Sequence, residues 1–185
     1  MIYMLLPPSF DSTIPWTISE GPEFRTSAGP RVGLPLPSVP LLTGHSAIVD
    51  VKNSNWKLLK LDSSEVSFSE FDGKVIFLNL WGTWCQPCVW EMPYLQDLYD
   101  SVNREHVAFL AVSDEPLSLL RSFAAKESLT IPIYQSVSQK PPGFEIGPRP
   151  ATLLIDKVGR VVVREIGAAA WSDPRVIRLV RSLHE

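Results

Sequence analysis

The most constraining feature of this chain is the run Val75-Ile76-Phe77-Leu78-Asn79-Leu80-Trp81. Six of its seven residues are apolar, with no polar residue at every second position. A strand with one wet face alternates; an unbroken apolar run needs both faces covered. The run therefore reads as a strand buried on both faces, inside a sheet with a layer on each side. With 185 residues, 45% of them apolar, it has enough material to bury such a sheet without metal or disulfide staples.

The residues around the run supply the other layers. Residues 56–61 and 66–68 alternate apolar and polar about a polar turn at 62–65, a β-hairpin pattern. From Cys85 to about Asn103, Val89, Met92, Leu95, Leu98, Tyr99 and Val102 recur at helical spacing. Residues 107–112 read as a second buried strand. A helix follows, with Ser113 or Asp114 as N-cap, Pro116 in its first turn and Leu117, Leu120, Phe123 and Ala124 inward. Residues 131–134 read as a short strand. After a Pro/Gly loop at 140–150, residues 151–156 and 161–166 read as a closing hairpin. Asp173-Pro174 opens a last helix with Val176, Ile177, Val180 and Leu183 on one face. The order β-β-β-α-β-α-β-β-β-α predicts an α/β fold, a central mixed sheet with helices on both faces.

Residues 1–50 differ from the rest. They hold 8 of the 17 prolines and six charged residues. Leu34-Pro35-Leu36-Pro37 cannot be a regular helix, because proline lacks the amide hydrogen and biases its predecessor toward extended geometry. We read 1–50 as an extended or irregular segment and 51–185 as the folded domain. The segment is either a tether or poorly ordered tail, or a polyproline ligand for a partner. It is not a standard secretory signal: the first basic residue is Arg25, and Pro7-Pro8 stop the apolar stretch 2–6. The chain is cytoplasmic, or its anchor lies upstream of Met1. A net charge of −3 and the lack of a basic run argue against nucleic acid. No apolar stretch reaches the roughly 20 residues of a membrane-spanning helix.

The chemistry concentrates in Trp84-Cys85-Gln86-Pro87-Cys88, which holds both cysteines of the chain. The pair lies where a buried strand ends and a helix begins. A helix start offers free N–H groups and the positive end of the dipole, and both stabilise a thiolate. The two-residue spacing lets one sulfur attack the other, so the dithiol can give or take two electrons without a cofactor. Cys85 is expected to be the exposed nucleophile, and Cys88, one turn in, the buried resolving thiol. Three other readings are weaker. A structural disulfide closing so short a loop contributes only about 2 kcal/mol. Half a zinc site needs two more ligands, and His45, His106 and His184 show no paired spacing. Two inert core cysteines fit poorly between tryptophans and a Gln-Pro insert.

Residues 75–88, VIFLNLWGTWCQPC, resemble the strand-to-helix site of the thioredoxin superfamily, and within it the TlpA/ResA-like bacterial thiol-disulfide oxidoreductases. The resemblance covers about residues 56–185. Phe71-Asp72-Gly73-Lys74 resembles the family's lead-in to the central strand, and 115–135 its αβ insertion. Glu91-Met92-Pro93 is similar to the family's acidic residue and helix proline. Arg149-Pro150-Ala151-Thr152 resembles the segment whose proline is cis and faces the redox pair. The resemblance implies a thioredoxin-like fold with an N-terminal β-hairpin, disulfide-bearing client proteins (an apocytochrome c among them) and a membrane electron donor. It also favours a place outside the cytoplasm.

Two departures matter. Thioredoxin's buried central-strand aspartate is here Asn79, which cannot titrate, so the resemblance moves the acid to Glu91. There a carboxylate can exchange a proton with Cys88; the alternative is a solvated helix glutamate. The residue before Pro150 is a cation, Arg149, which would favour the Cys85 thiolate, recognise an acidic client, or point into water. Trp84 is expected to rim a client site with Arg149 and Pro150, and Trp81 to be core; Trp90 is not assigned. Two rivals remain: a thiol peroxidase, whose Pro-x-x-x-Thr/Ser-x-x-Cys signature meets Leu78 and Gly82 here, and a non-enzymatic peptide-binding module on the same fold.

Overall fold

A computed structural model describes residues 33–38, 47–144 and 147–184. The rest of the proline-rich segment, with what the sequence predicts for it, and His45 lie outside the described residues. Seven strands form one sheet: β1 (Lys57–Lys60), β2 (Glu65–Ser67), β3 (Val75–Leu80), β4 (Val107–Ser113), β5 (Ile133–Ser136), β6 (Ala151–Ile155) and β7 (Val161–Ile166). Their spatial order is β2-β1-β5-β4-β3-β6-β7. β3 runs parallel to β4 and antiparallel to β6, and β5 is parallel to β4. The sheet is thus mixed, and β3 is buried along its whole length, as its apolar run requires.

Alternation along β3 divides the core. Val75, Phe77 and Trp81 join a cluster with α1 (Gln86–Ser101), α2 (Leu117–Lys126) and α3 (Pro174–Ser182). Ile76, Leu78 and Leu80 join Trp56, Phe68 and Phe144 on the opposite face. The sheet is mixed as expected, but the expected helices on both faces are corrected: all three α-helices pack on the first face, and the second carries one 3-10 turn, Phe68–Phe71, and irregular chain. The cause is topological. The β3-α1-β4-α2-β5 crossovers step in one direction across the sheet, and right-handed crossovers then place both helices on one face.

Three sequence expectations meet the structure here, and two of them shift. The helix after β4 is capped by Pro116, not Ser113 or Asp114. Those side chains are taken elsewhere: Ser113 Oγ donates to Glu115, and Asp114 accepts from Lys140 and Arg149. The strand expected at 131–134 is Ile133–Ser136, in the register set by pairing with β1. The last helix is capped as expected, with Asp173 accepting from the Arg175 amide at 2.9 Å.

Residues 33–38 form neither helix nor strand, yet they are tied to the domain. The Ala170 amide donates to Pro35 O at 2.9 Å, and the Ser38 amide to Glu165 at 2.7 Å. Further on, Val161 N bonds Ala47 O, and Ile48 bridges to Arg160. Described chain upstream of residue 50 thus lies beside β7, and Ala47 O takes the first amide of that edge strand.

Candidate active site at the start of the first helix

β3 delivers the chain through Trp81 and Gly82 to the first turn of α1. Cys85 is the N-cap, in extended geometry, and its sulfur accepts from the Cys88 amide at 3.3 Å. Cys85 and Cys88 are joined as a disulfide, with Cα atoms 5.2 Å apart. Cys88 is fully buried. Cys85 is only 5% exposed, so the expectation of an exposed sulfur is corrected: as N-cap it folds back over the helix start. What stands in solvent is the rim, with Trp84 at 72% and Gln86 and Pro87 exposed. The Trp84 indole lies over Gly82; a Cβ there would sit 2.6 Å from Nε1. Trp81 is core against Phe123, as expected, and Trp90 is half-exposed on α1.

Sequence reasoning missed the brace for this loop. Glu115 accepts from Thr83 N (2.6 Å), Thr83 Oγ1 (2.7 Å) and Ser113 Oγ (3.1 Å), tying the turn before Cys85 to the end of β4. Its only sequence signal is an acid just past a buried strand.

Glu91 is the buried acid of the site, with no solvent exposure, so the solvated-glutamate alternative fails. It lies three residues past Cys88, which places both on one side of α1. Asn79 Nδ2 donates to its Oε1 at 2.8 Å and to Thr152 Oγ1 at 2.9 Å. Trp171 Nε1 (2.9 Å) and the Ala169 amide (3.2 Å) donate to Oε2. Burial penalises the carboxylate more than these donors stabilise it, and the pKa is pushed up to about 7. Asn79 Oδ1 is buried without a partner, so with its amide turned over it could accept from a protonated Glu91. Asn79 therefore serves the buried acid rather than replacing it. Ala169 and Trp171 come from a distant segment and carried no signal in the sequence, and Thr152 was marked only as part of the Pro150 segment.

The Arg149–Pro150 bond is cis, as the resemblance implies. Ala151 pairs with Leu80, so Pro150 abuts the end of β3 from which the Cys85 turn departs. The Pro150 carbonyl accepts from Gly167 N at 2.9 Å and is already used. Arg149 does not point into water: its side chain is 15% exposed and donates to Asp114 at 3.0 Å. Asp114 follows β4 and Pro150 precedes β6, with β3 between, so this side chain spans the end of the central strand. Lys140 joins the same carboxylate, leaving two cations on one anion.

Comparison with known proteins agrees with this arrangement. The AhpC/TSA family model matches residues 49–164. Thiol-disulfide oxidoreductase ResA of Geobacillus kaustophilus is 42% identical over 106 residues, 56% of this chain and 61% of that protein. ResA of Bacillus anthracis is 36% identical over 115 residues, 61% of this chain and 66% of that protein. The matched stretch thus spans less than two thirds of these relatives. Among solved structures, a thiol:disulfide interchange protein of the thioredoxin family from Chlorobium tepidum superposes with a TM-score of 0.60 at 17% identity. It covers 77% of this chain and 99% of that one. StoA of Bacillus subtilis gives 0.52 at 19% identity, over 70% and 96%. By sequence and by topology the chain belongs to the AhpC/TSA family and has the thioredoxin-like fold.

Proposed function

We propose that the protein is a thiol-disulfide oxidoreductase that reduces disulfides of client proteins. The observation that carries this reading is the Cys85–Cys88 disulfide at a helix N-terminus, with the buried Glu91 carboxyl on the same side of the helix. In the reduced protein the Cys85 thiolate attacks a client disulfide. A Cys85–client bond forms and one client thiolate leaves. The Cys88 thiolate then attacks the Cys85 sulfur, the mixed disulfide breaks, and the second client thiolate departs. Two electrons pass from the protein to the client, and the Cys85–Cys88 bond is restored. Glu91, poised near neutrality, takes the Cys88 proton in this direction and returns it in the other. Trp84, cis-Pro150 and Arg149 form the client surface, and Arg149 with Lys140 favours acidic client segments. The catalytic unit is 51–185, with 1–50 as an N-terminal extension.

The ResA relatives are named thiol-disulfide oxidoreductases. By extension we place this chain outside the cytoplasm, recharged by a membrane electron donor, with apocytochrome c as a candidate client. No helix among the described residues is long and apolar enough to cross a membrane. A peroxidase reading lacks support at the site, since Leu78 and Gly82 occupy its signature positions. Insulin reduction by dithiothreitol tests the proposal. The wild type should accelerate it and Cys85→Ser should not. A wild type no faster than the blank would leave only a binding module.

A further inference from the structure

We propose that residues 33–38 are a positioning strap for Glu91, coupling the proline-rich extension to the proton chemistry of the redox pair. Two contacts carry this. The loop 167–171 supplies two of the donors that hold Glu91, the Ala169 amide and Trp171 Nε1, both on Oε2. The next amide, that of Ala170, donates outward to Pro35 O at 2.9 Å. Adjacent peptide groups therefore tie one loop to the active-site acid on one side and to the strap on the other. The second contact is the Ser38 amide on Glu165 Oε2 at 2.7 Å. Glu165 is the acid on β7 whose charge acts on Glu91. The first contact thus ends on the loop that holds the carboxyl, and the second ties the same strap to β7, whose Glu165 is the least of the influences on Glu91.

The strap is built to hold still. Pro35 and Pro37 fix their own φ angles, so docking costs little chain entropy, and Pro37 is buried against the domain. The side chains bonded to Glu91 are neutral: Asn79 from β3, itself bonded to Thr152 of β6, and the indole of Trp171. Its own helix adds the two sulfurs and no acid in the first turn. Burial is the largest influence on Glu91, ahead of its hydrogen bonds. Loosening the strap frees the loop and admits water. It loses both effects, and the larger one sets the sign: Glu91 becomes more acidic. Freeing Glu165 acts the same way, by removing a fixed negative charge.

The inference rests on Glu91 as proton carrier for its functional meaning, and the experiment separates the two. In the full-length chain, Pro35→Gly/Pro37→Gly loosens the strap. Ser38→Pro, at an exposed position, removes only the amide that holds Glu165. Carbon-13 titration of the Glu91 carboxyl in the oxidised double variant should show a midpoint lowered by about half a pH unit or more, a threefold change in the proton constant, and Ser38→Pro should lower it in the same direction by less. The Ala170 amide should exchange about tenfold faster in the double variant. The pH–rate profile of insulin reduction should shift the same way, and not at all when Glu91→Gln is added. If the double variant fails to fold, Ser38→Pro decides. Wild-type midpoints in folded variants, or a rate shift that persists with Glu91→Gln, overturn the strap. Shifted midpoints with an unchanged rate profile keep the strap and overturn the proton role of Glu91.

Discussion

Glu91→Gln in the oxidised protein should raise stability at alkaline pH and leave it almost unchanged in acid. Folding moves the carboxyl from 4.5 to about 7, mainly by burial. At about 1.4 kcal/mol per unit this is about 3 kcal/mol of differential penalty on the anion. The sign follows from proton counting. Between these values the native state binds the proton and the unfolded state does not, so stability falls as pH rises. The contribution is complete below pH 4.5 and lost through about 7. The substituted glutamine carries no charge, and its amide can keep the contacts: the oxygen accepts from Trp171 and Ala169, and the nitrogen donates to Asn79 Oδ1 after an amide flip. That Asn79 oxygen is without a partner in the present arrangement. Urea unfolding of both proteins from pH 4 to 8.5 measures the difference, with other titrating groups cancelling between them. The variant should gain on wild type by about 2–3 kcal/mol across this range. Parallel stability curves would refute the buried-acid account.

Iodoacetamide should label Cys85 faster than Cys88 in the reduced protein, with a midpoint below the roughly 8.5 of a free thiol; faster labelling of Cys88 would reverse their roles. Glu91→Gln should lower the apparent thiol midpoint further, since a nearby carboxylate disfavours a second anion. Gly82→Ala forces the Trp84 indole from its place, 2.6 Å from the new Cβ, so client reduction should slow several-fold while urea stability changes by under about 1 kcal/mol. Arg149→Ala should slow reduction of an acidic disulfide peptide about tenfold more than that of a basic one, on the order of one bidentate charge contact. Equal slowing of both peptides would remove Arg149 from client recognition.

The redox pair and its supporting strand were legible because their signals are local. An apolar run with no alternation reads as an inner strand, and the helical spacing of Val89, Met92, Leu95 and Leu98 places the start of a helix at Cys-Gln-Pro-Cys. The missing information was carried by contacts between distant segments. Ser113 and Asp114 look like helix caps, but Glu115, Lys140 and Arg149 claim their side chains. β5 shifts toward the polar Gln135 and Ser136 because they pair with β1. Glu91 reads as the site's acid only through the resemblance, with a solvated helix residue as the alternative. Its burial depends on Trp171, eighty positions away, and on Asn79, which alone suggested only the loss of an acid. The cis bond at Pro150 was expected from resemblance, not from residue spacing. The proline-rich stretch looked like a tail, yet its described part is hydrogen-bonded beside the active-site loop.

Trapping of the exchange intermediate tests the central claim most directly. Cys88→Ser removes the resolving sulfur and keeps the attacking one. Incubated with oxidised insulin or glutathione disulfide and analysed by peptide mass spectrometry, this variant should accumulate a mixed disulfide at Cys85, while Cys85→Ser should yield little or none. No adduct at Cys85, or one that forms as readily at Cys88, would contradict the account.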